Sequence, residues 1–201
     1  KLTFESQKYI YTAIKALSYF SKLSIEEESF IDYSVVVSPL MRALELELKR
    51  RLFLPYVKYV SDKFVDVSDF SNYNNITMQY HLKKYRSFII DNSFKECDKC
   101  EFTLGCLKYI YGLDVNYAQN SSEKIRIDRS SKEYLEENLC IQLSVEKWYY
   151  QLSLDVKEVR DLRNRSSHGG TVLIKEDAEW AVDMLLKTKK ILINLLNSWK
   201  W

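Results

Sequence analysis

Three features of the sequence point to an all-α bundle. Only four glycines and two prolines occur among 201 residues, where average usage would give about fourteen and ten. Folds built on many tight turns, such as β-sandwiches, propellers and glycine-rich nucleotide loops, fit poorly with that scarcity. Apolar residues make up 46% of the chain and aromatics 14%, which excludes collagen-like and disordered classes. Apolar positions also recur at helical spacing along most of the length, with no internal repeat, heptad array or low-complexity tract. A chain of this size buries a full core, and residues 1–201 read as a single domain.

The first element is an amphipathic helix over residues 4–22, with Ile10, Ala13, Ile14, Leu17 and Phe20 in step. Ser24 before Glu26, Glu27 and Glu28 forms an N-cap with acids in the first turn. A long helical stretch is predicted from Ser29 to Phe64, carrying Val36, Leu40, Ala43, Leu44, Leu46, Leu48, Leu52 and Phe53. Pro39 and Pro55 should kink or divide it, because proline removes a helix hydrogen bond and crowds the preceding turn. Residues 65–75, rich in Ser, Asn and Asp, read as a loop. Helix is expected again over 77–90, with Met78, Leu82, Tyr85 and Ile89 in phase, then a polar connection over 91–100.

A short helix is predicted from Phe102 to Leu113, and a mobile polar insertion or surface loop over 114–131. The region 61–143 as a whole reads as an elaborated middle. The last third is the clearest. Residues 144–165 place Trp148, Leu152, Val156, Val159 and Leu162 on one face, and a final helix runs from Lys175 to Trp199. Its core face is Ala178, Ala181, Leu185, Ile191, Leu192 and Leu195.

Thirty Lys and Arg against twenty-eight Asp and Glu give a net charge of +2, so overall charge does not announce a nucleic-acid binder. No apolar run is long enough to span a bilayer, and no signal peptide opens the chain, so a cytoplasmic protein is expected. The start at Lys1 suggests a processed chain or a domain of something longer. Cys97-x-x-Cys100 could begin a zinc site, but Cys106 and Cys140 form no second close pair and no histidine is near. Reduced thiols are the simpler reading, and neither metal nor organic cofactor is expected. His81, among Tyr80, Leu82 and Tyr85, is read as a packing or surface histidine.

One segment stands apart: Leu162-Arg163-Asn164-Arg165-Ser166-Ser167-His168-Gly169-Gly170. It holds one of two histidines and two of four glycines. A structural reading is available, since Arg and His complement a helix C-terminus and glycine at C′ stops it. A chemical reading is available too. Arginine offers a permanent planar fork for phosphate and histidine titrates near neutrality, which is what metal-free phosphodiester cleavage needs. Five residues apart, Arg163 and His168 are about 140° apart on a regular helix, so the helix must loosen or end to bring them together. Arg160 and Arg165 flank the motif as candidate contacts to a phosphate backbone. Glu45 and Glu47, on the early helix with Lys49, Arg50 and Arg51, read first as partners of those local cations, although one of them could pair with Arg163.

The run Arg163-Asn164-Arg165-Ser166-Ser167-His168 at the end of a long helix, followed by Gly-Gly and a last amphipathic helix, resembles the HEPN superfamily, whose signature is R-x4-6-H. Ser38–Val57 resembles the long early helix of such domains, and Thr103–Ile110 (TLGCLKYI) a recurring Thr-Leu-Gly helix of some members. The likeness covers about 29–60 and 144–199 and is patchy between. It implies an antiparallel helical bundle and a metal-independent endoribonuclease working as a homodimer, with two motifs facing each other across the motif-bearing helices. Arg163 would hold the scissile phosphate, His168 would move protons as the 2′-hydroxyl attacks, and Asn164 would orient the site. It also implies a toxin or antiviral-defence effector, a role in which families of this kind are common; the R-x4-H-x-Y subset is not matched, because Gly170 stands where its tyrosine would be. Other members only dimerise or bind nucleotides or partners without cutting.

Overall fold

The computed structural model describes residues 1–74, 89, 102–111, 127–167 and 172–199. The helix expected over 77–90 (apart from Ile89, helical and buried), the connection over 91–100, His81, Cys97, Cys100 and the segment His168–Gly170 lie outside them. The fold is all-α: among the described residues no strand forms, only an isolated antiparallel bridge between Leu139 and Trp199. No helix among them is long and apolar enough to cross a membrane. The chain divides into two compact units, residues 1–47 with 155–197, and 48–154 with 198–201.

The first unit opens with α1 (Phe4–Phe20), whose N-cap Thr3 accepts from the Ser6 N–H. Next comes the single turn α2 (Ile25–Glu28), where Ser24 and Glu27 form a reciprocal capping box as the Ser24-x-x-Glu27 spacing requires. The helix expected from Ser29 starts later, as α3 (Ser34–Leu48). Asp32 sets that start: its carboxylate accepts from the Ser34 N–H and hydroxyl, both at 2.9 Å. Those bonds hold Asp32 below the usual carboxylate range, the Ser34 N–H above all. Pro39 sits inside α3 without breaking it.

In the second unit the helix continues through a π-helical turn, Lys49–Phe53, into α4 (Leu54–Lys63). The Leu54 N–H reaches back to the Lys49 carbonyl, a five-residue step that widens the turn just before Pro55. Proline thus changes the winding rather than ending the helix. The loop expected over 65–75 is a helix instead, α5 (Val67–Asn74). Asp66 caps it, accepting from the Ser68 and Asp69 N–H groups, and Phe70 anchors it by full burial. Its Ser and Asn content reflects capping chemistry rather than a turn. The predicted helix after Phe102 begins as a 3₁₀ turn, Leu104–Cys106, and continues as α6 (Leu107–Ile110).

The tail of the expected insertion is also ordered differently. Residues 129–131 open α7 (Arg129–Asn138), with Ser130 and Ser131 fully buried. Both hydroxyls bond the Tyr56 hydroxyl, at 2.9 and 2.7 Å. Around them stand Tyr111, Tyr134 and Tyr149, with ring centroids 4.6–6.3 Å apart along the chain of contacts. Tyr111 donates to the Leu52 carbonyl and Tyr149 to that of Leu107.

α8 (Val145–Ser167) runs from the second unit into the first and buries Leu152, Val156, Val159 and Leu162 as expected. The last predicted helix is divided into α9 (Lys175–Val182), a π-helical turn at Asp183–Lys187, and α10 (Ile191–Asn197). Lys190, at φ 50°, sits in the break. All six residues of its predicted core face are buried.

Two outcomes follow from the second unit. Tyr56→Phe deletes the hydroxyl that two buried serines share, and should cost about 1–3 kcal/mol in urea unfolding; a change below a few tenths would show that the serines repair themselves. Glu133 accepts from Lys63 at 2.7 Å, Tyr73 at 2.6 Å and Arg129 at 3.1 Å, which lowers its carboxyl to about 2. Because the folded value lies below the ordinary 4.5, this contribution is fully present above that pH and is lost as pH falls toward about 2. Unfolding followed across that window should show Glu133→Gln flattening the acid limb of stability.

Candidate functional site

The motif arginine lies in the first unit, near the C-terminal end of α8. Four residues after Val159 and seven after Val156, Arg163 falls on the edge of the buried stripe rather than in its middle. Its side chain is 38% exposed, while that of Glu45 on α3 is only 8% exposed. One Glu45 oxygen lies 3.7 Å from Arg163 Nη2 and the other 3.6 Å from Arg42 Nη1. Two guanidinium groups therefore share one covered carboxylate.

Asn164 follows, half-buried. Arg160 pairs with its neighbour Asp161 at 2.9 Å. Arg165 reaches across to Asp177 in the first turn of α9, at 2.8 Å. That contact fastens the end of α8 to the start of the next helix. Helix α8 stays regular through Ser167, and the chain returns to the described residues at Val172. Leu173 is then fixed on both sides: its carbonyl accepts from the Tyr33 N–H at 3.0 Å, and its N–H reaches Asp32 at 3.3 Å. The segment with His168, Gly169 and Gly170 is therefore flanked by two anchored ends, although His168 itself is outside the described residues.

Glu47 occupies a different environment from the expected local ion pairs. It is fully buried and accepts the Thr3 N–H at 2.9 Å, which ties the start of α1 to α3. Glu45 turns toward Arg163 and Arg42. The sequence held a signal for Glu47. Leu40, Ala43, Leu44 and Glu47 share one helical stripe, so the acid falls where the core face passes.

Among the described residues no cluster of three or more His, Cys, Asp or Glu could hold a metal ion, and Cys140 is exposed with a free thiol. The second unit has an open groove of about 610 Å³ whose walls carry Lys58, Lys63, Asp62 and Glu137 over Tyr59 and Tyr134. Its charges balance, and Lys63 is committed to Glu133. Burial of the ammonium works against its charge, yet bonds to Glu133, Tyr59 and Tyr73 hold Lys63 above its usual range. None of the motif residues lines this groove.

The chain matches no protein-family model, no curated protein and no solved structure.

A double-mutant cycle on Glu45→Gln and Arg163→Gln should return a coupling of about 1 kcal/mol. Arg163 is too exposed for the several kcal/mol of a fully buried pair. Additive effects in guanidinium chloride melts would show that the pair does not hold the arginine.

Proposed function

We propose that this chain is a metal-independent endoribonuclease of the HEPN type, working as a homodimer and serving as a toxin or antiviral-defence effector. The observation that carries the reading is Arg163, half-exposed at the end of α8 and held from behind by the covered Glu45 carboxylate, five residues before His168. A fork oriented in this way loses less freedom on meeting a phosphate than a loose surface arginine.

In this mechanism Arg163 holds a non-bridging oxygen of the scissile phosphate and offsets charge as it develops. His168 takes the proton from the ribose 2′-hydroxyl, whose oxygen attacks phosphorus; the P–O5′ bond breaks, and the leaving oxygen gains a proton. The products are a 2′,3′-cyclic phosphate and a 5′-hydroxyl end. DNA, without a 2′-hydroxyl, should not be cut. Asn164 orients the phosphate or the neighbouring protomer, and Arg160 and Arg165 contact the flanking backbone.

A second reading is a non-catalytic dimerisation module that binds a nucleotide or partner. What favours it is the carboxylate beside each arginine: Glu45, Asp161 and Asp177 lie within 2.8–3.7 Å of Arg163, Arg160 and Arg165. These contacts offset charge that an RNA backbone would otherwise meet.

Incubation of single-stranded RNA with the protein in EDTA separates the two readings. The nuclease should cut RNA but not DNA of the same sequence, leaving cyclic phosphate ends. His168→Ala and Arg163→Ala should each slow it by about 10²–10⁴-fold. A dimer that leaves RNA intact, or cutting that survives both substitutions, would sink the nuclease reading.

A further inference from the structure

Helix α1 has two unlike faces. One is covered, with Ser6 and Ala13 fully buried and Ile10 and Leu17 beside them, and α1 packs on α9. At about 100° per residue, the opposite face carries Phe4, Lys8, Tyr11, Lys15 and Tyr19. Phe4, Tyr11 and Tyr19 are 72%, 63% and 65% exposed. The Lys8 ammonium lies 4.5 Å from the centroid of the Phe4 ring, and that of Lys15 lies 5.3 Å from the Tyr11 ring. Residues 1–22 contain four lysines, at positions 1, 8, 15 and 22, against the single carboxylate of Glu5. Scattered surface apolar residues need no explanation, but a row of rings and cations in strict alternation does.

Three occupants can be compared on charge and spacing. A second copy of the chain, docked through the same face, would set one lysine row against the other, and like charges in contact destabilise. A bilayer takes helices whose cations flank an apolar face. Here Lys8 and Lys15 share the line of the rings, so sinking the rings would draw the ammonium groups down with them. Single-stranded nucleic acid uses both components: bases stack on rings while phosphates meet ammonium groups, with Lys and Tyr interleaved along the strand. The rise from Lys8 to Lys15, and from Phe4 to Tyr11, is about 10.5 Å, or three steps of a stacked strand at about 3.4 Å each.

We infer that the outer face of α1, through Phe4, Lys8, Tyr11, Lys15 and Tyr19, is a binding stripe for single-stranded RNA. The inference rests on the ribonuclease reading and gives its substrate a second contact surface in the same unit as Arg163. Recognition there is tolerant of sequence, because every base has a stacking face and every nucleotide a phosphate.

The test is the anisotropy of a short fluorescein-labelled single-stranded RNA titrated with the whole chain in EDTA at several KCl concentrations. Lys8→Gln combined with Lys15→Gln should lower the slope of log affinity against log salt by about 1.4. Tyr11→Ala combined with Tyr19→Ala should weaken binding about tenfold or more while leaving that slope in place. All four side chains face solvent, so thermal melts should match the wild type. Wild-type affinity and slope in both double variants would overturn the stripe, as would binding to phosphatidylserine vesicles through these residues with none to RNA. RNA binding through the stripe without any cleavage would leave the stripe standing and remove the ribonuclease reading. Cleavage with binding indifferent to these substitutions would do the reverse.

Discussion

Two carboxylates that the fold takes out of water, Glu45 and Glu47 on α3, govern the first unit. A carboxylate removed from solvent without partners costs several kcal/mol, so whatever meets it becomes obligatory. Glu47 receives the Thr3 N–H, and Thr3 in turn caps α1 through its hydroxyl. One residue thus fixes both where α1 begins and how the helix is rotated. Glu45 receives Arg42 from its own helix and Arg163 from α8. The position of the motif arginine and the direction of the α1 faces follow from two positions within one turn of a single helix.

What was legible in the sequence was whatever depends on local period. The stripe of α8, the Ser24 cap and the six core positions of the last helical region rest on spacing within a few turns, and all six core positions are buried. Composition misled where it was asked to stand for conformation. Ser, Asn and Asp over 65–75 suggested a loop, yet Asp66 caps and Phe70 anchors a helix there. The break at Thr188–Lys190 had a signal that was passed over: from Leu185 to Ile191 the core residues jump six places, out of helical phase. A pairing of Glu45 or Glu47 with Arg163 was one option in the sequence, but nothing there chose between the two acids. Ion pairs across 118 residues leave no periodic trace, and local cations on the same helix offered a nearer partner.

In the second unit Tyr56, Tyr111 and Tyr149 are structural rather than chemical. Burial pushes the Tyr111 and Tyr149 hydroxyls well above their ordinary range, so they stay neutral donors. Each donates to a backbone carbonyl, and the Tyr56 hydroxyl is held between two buried serines. A phenol committed in this way can neither carry a proton to substrate nor stack with a base. Phe4, Tyr11 and Tyr19 of α1 stand exposed instead, where the core takes the opposite side of the helix.

The modest net charge of +2 conceals how the charges are distributed. At Glu45, two guanidinium groups approach one covered carboxylate, which orients Arg163. Over residues 1–22, four lysines meet one glutamate. Acids concentrate just afterwards, at Glu26, Glu27, Glu28 and Asp32, where they serve caps and the Lys175 ion pair rather than the outer face of α1. An average over the chain therefore says little about what a polyanion would meet. Over distances of about 10 Å, beyond which salt screens exposed charges, it is the local arrangement that attracts or repels. By that measure the stretch over residues 1–22 is positive in a protein that is nearly neutral.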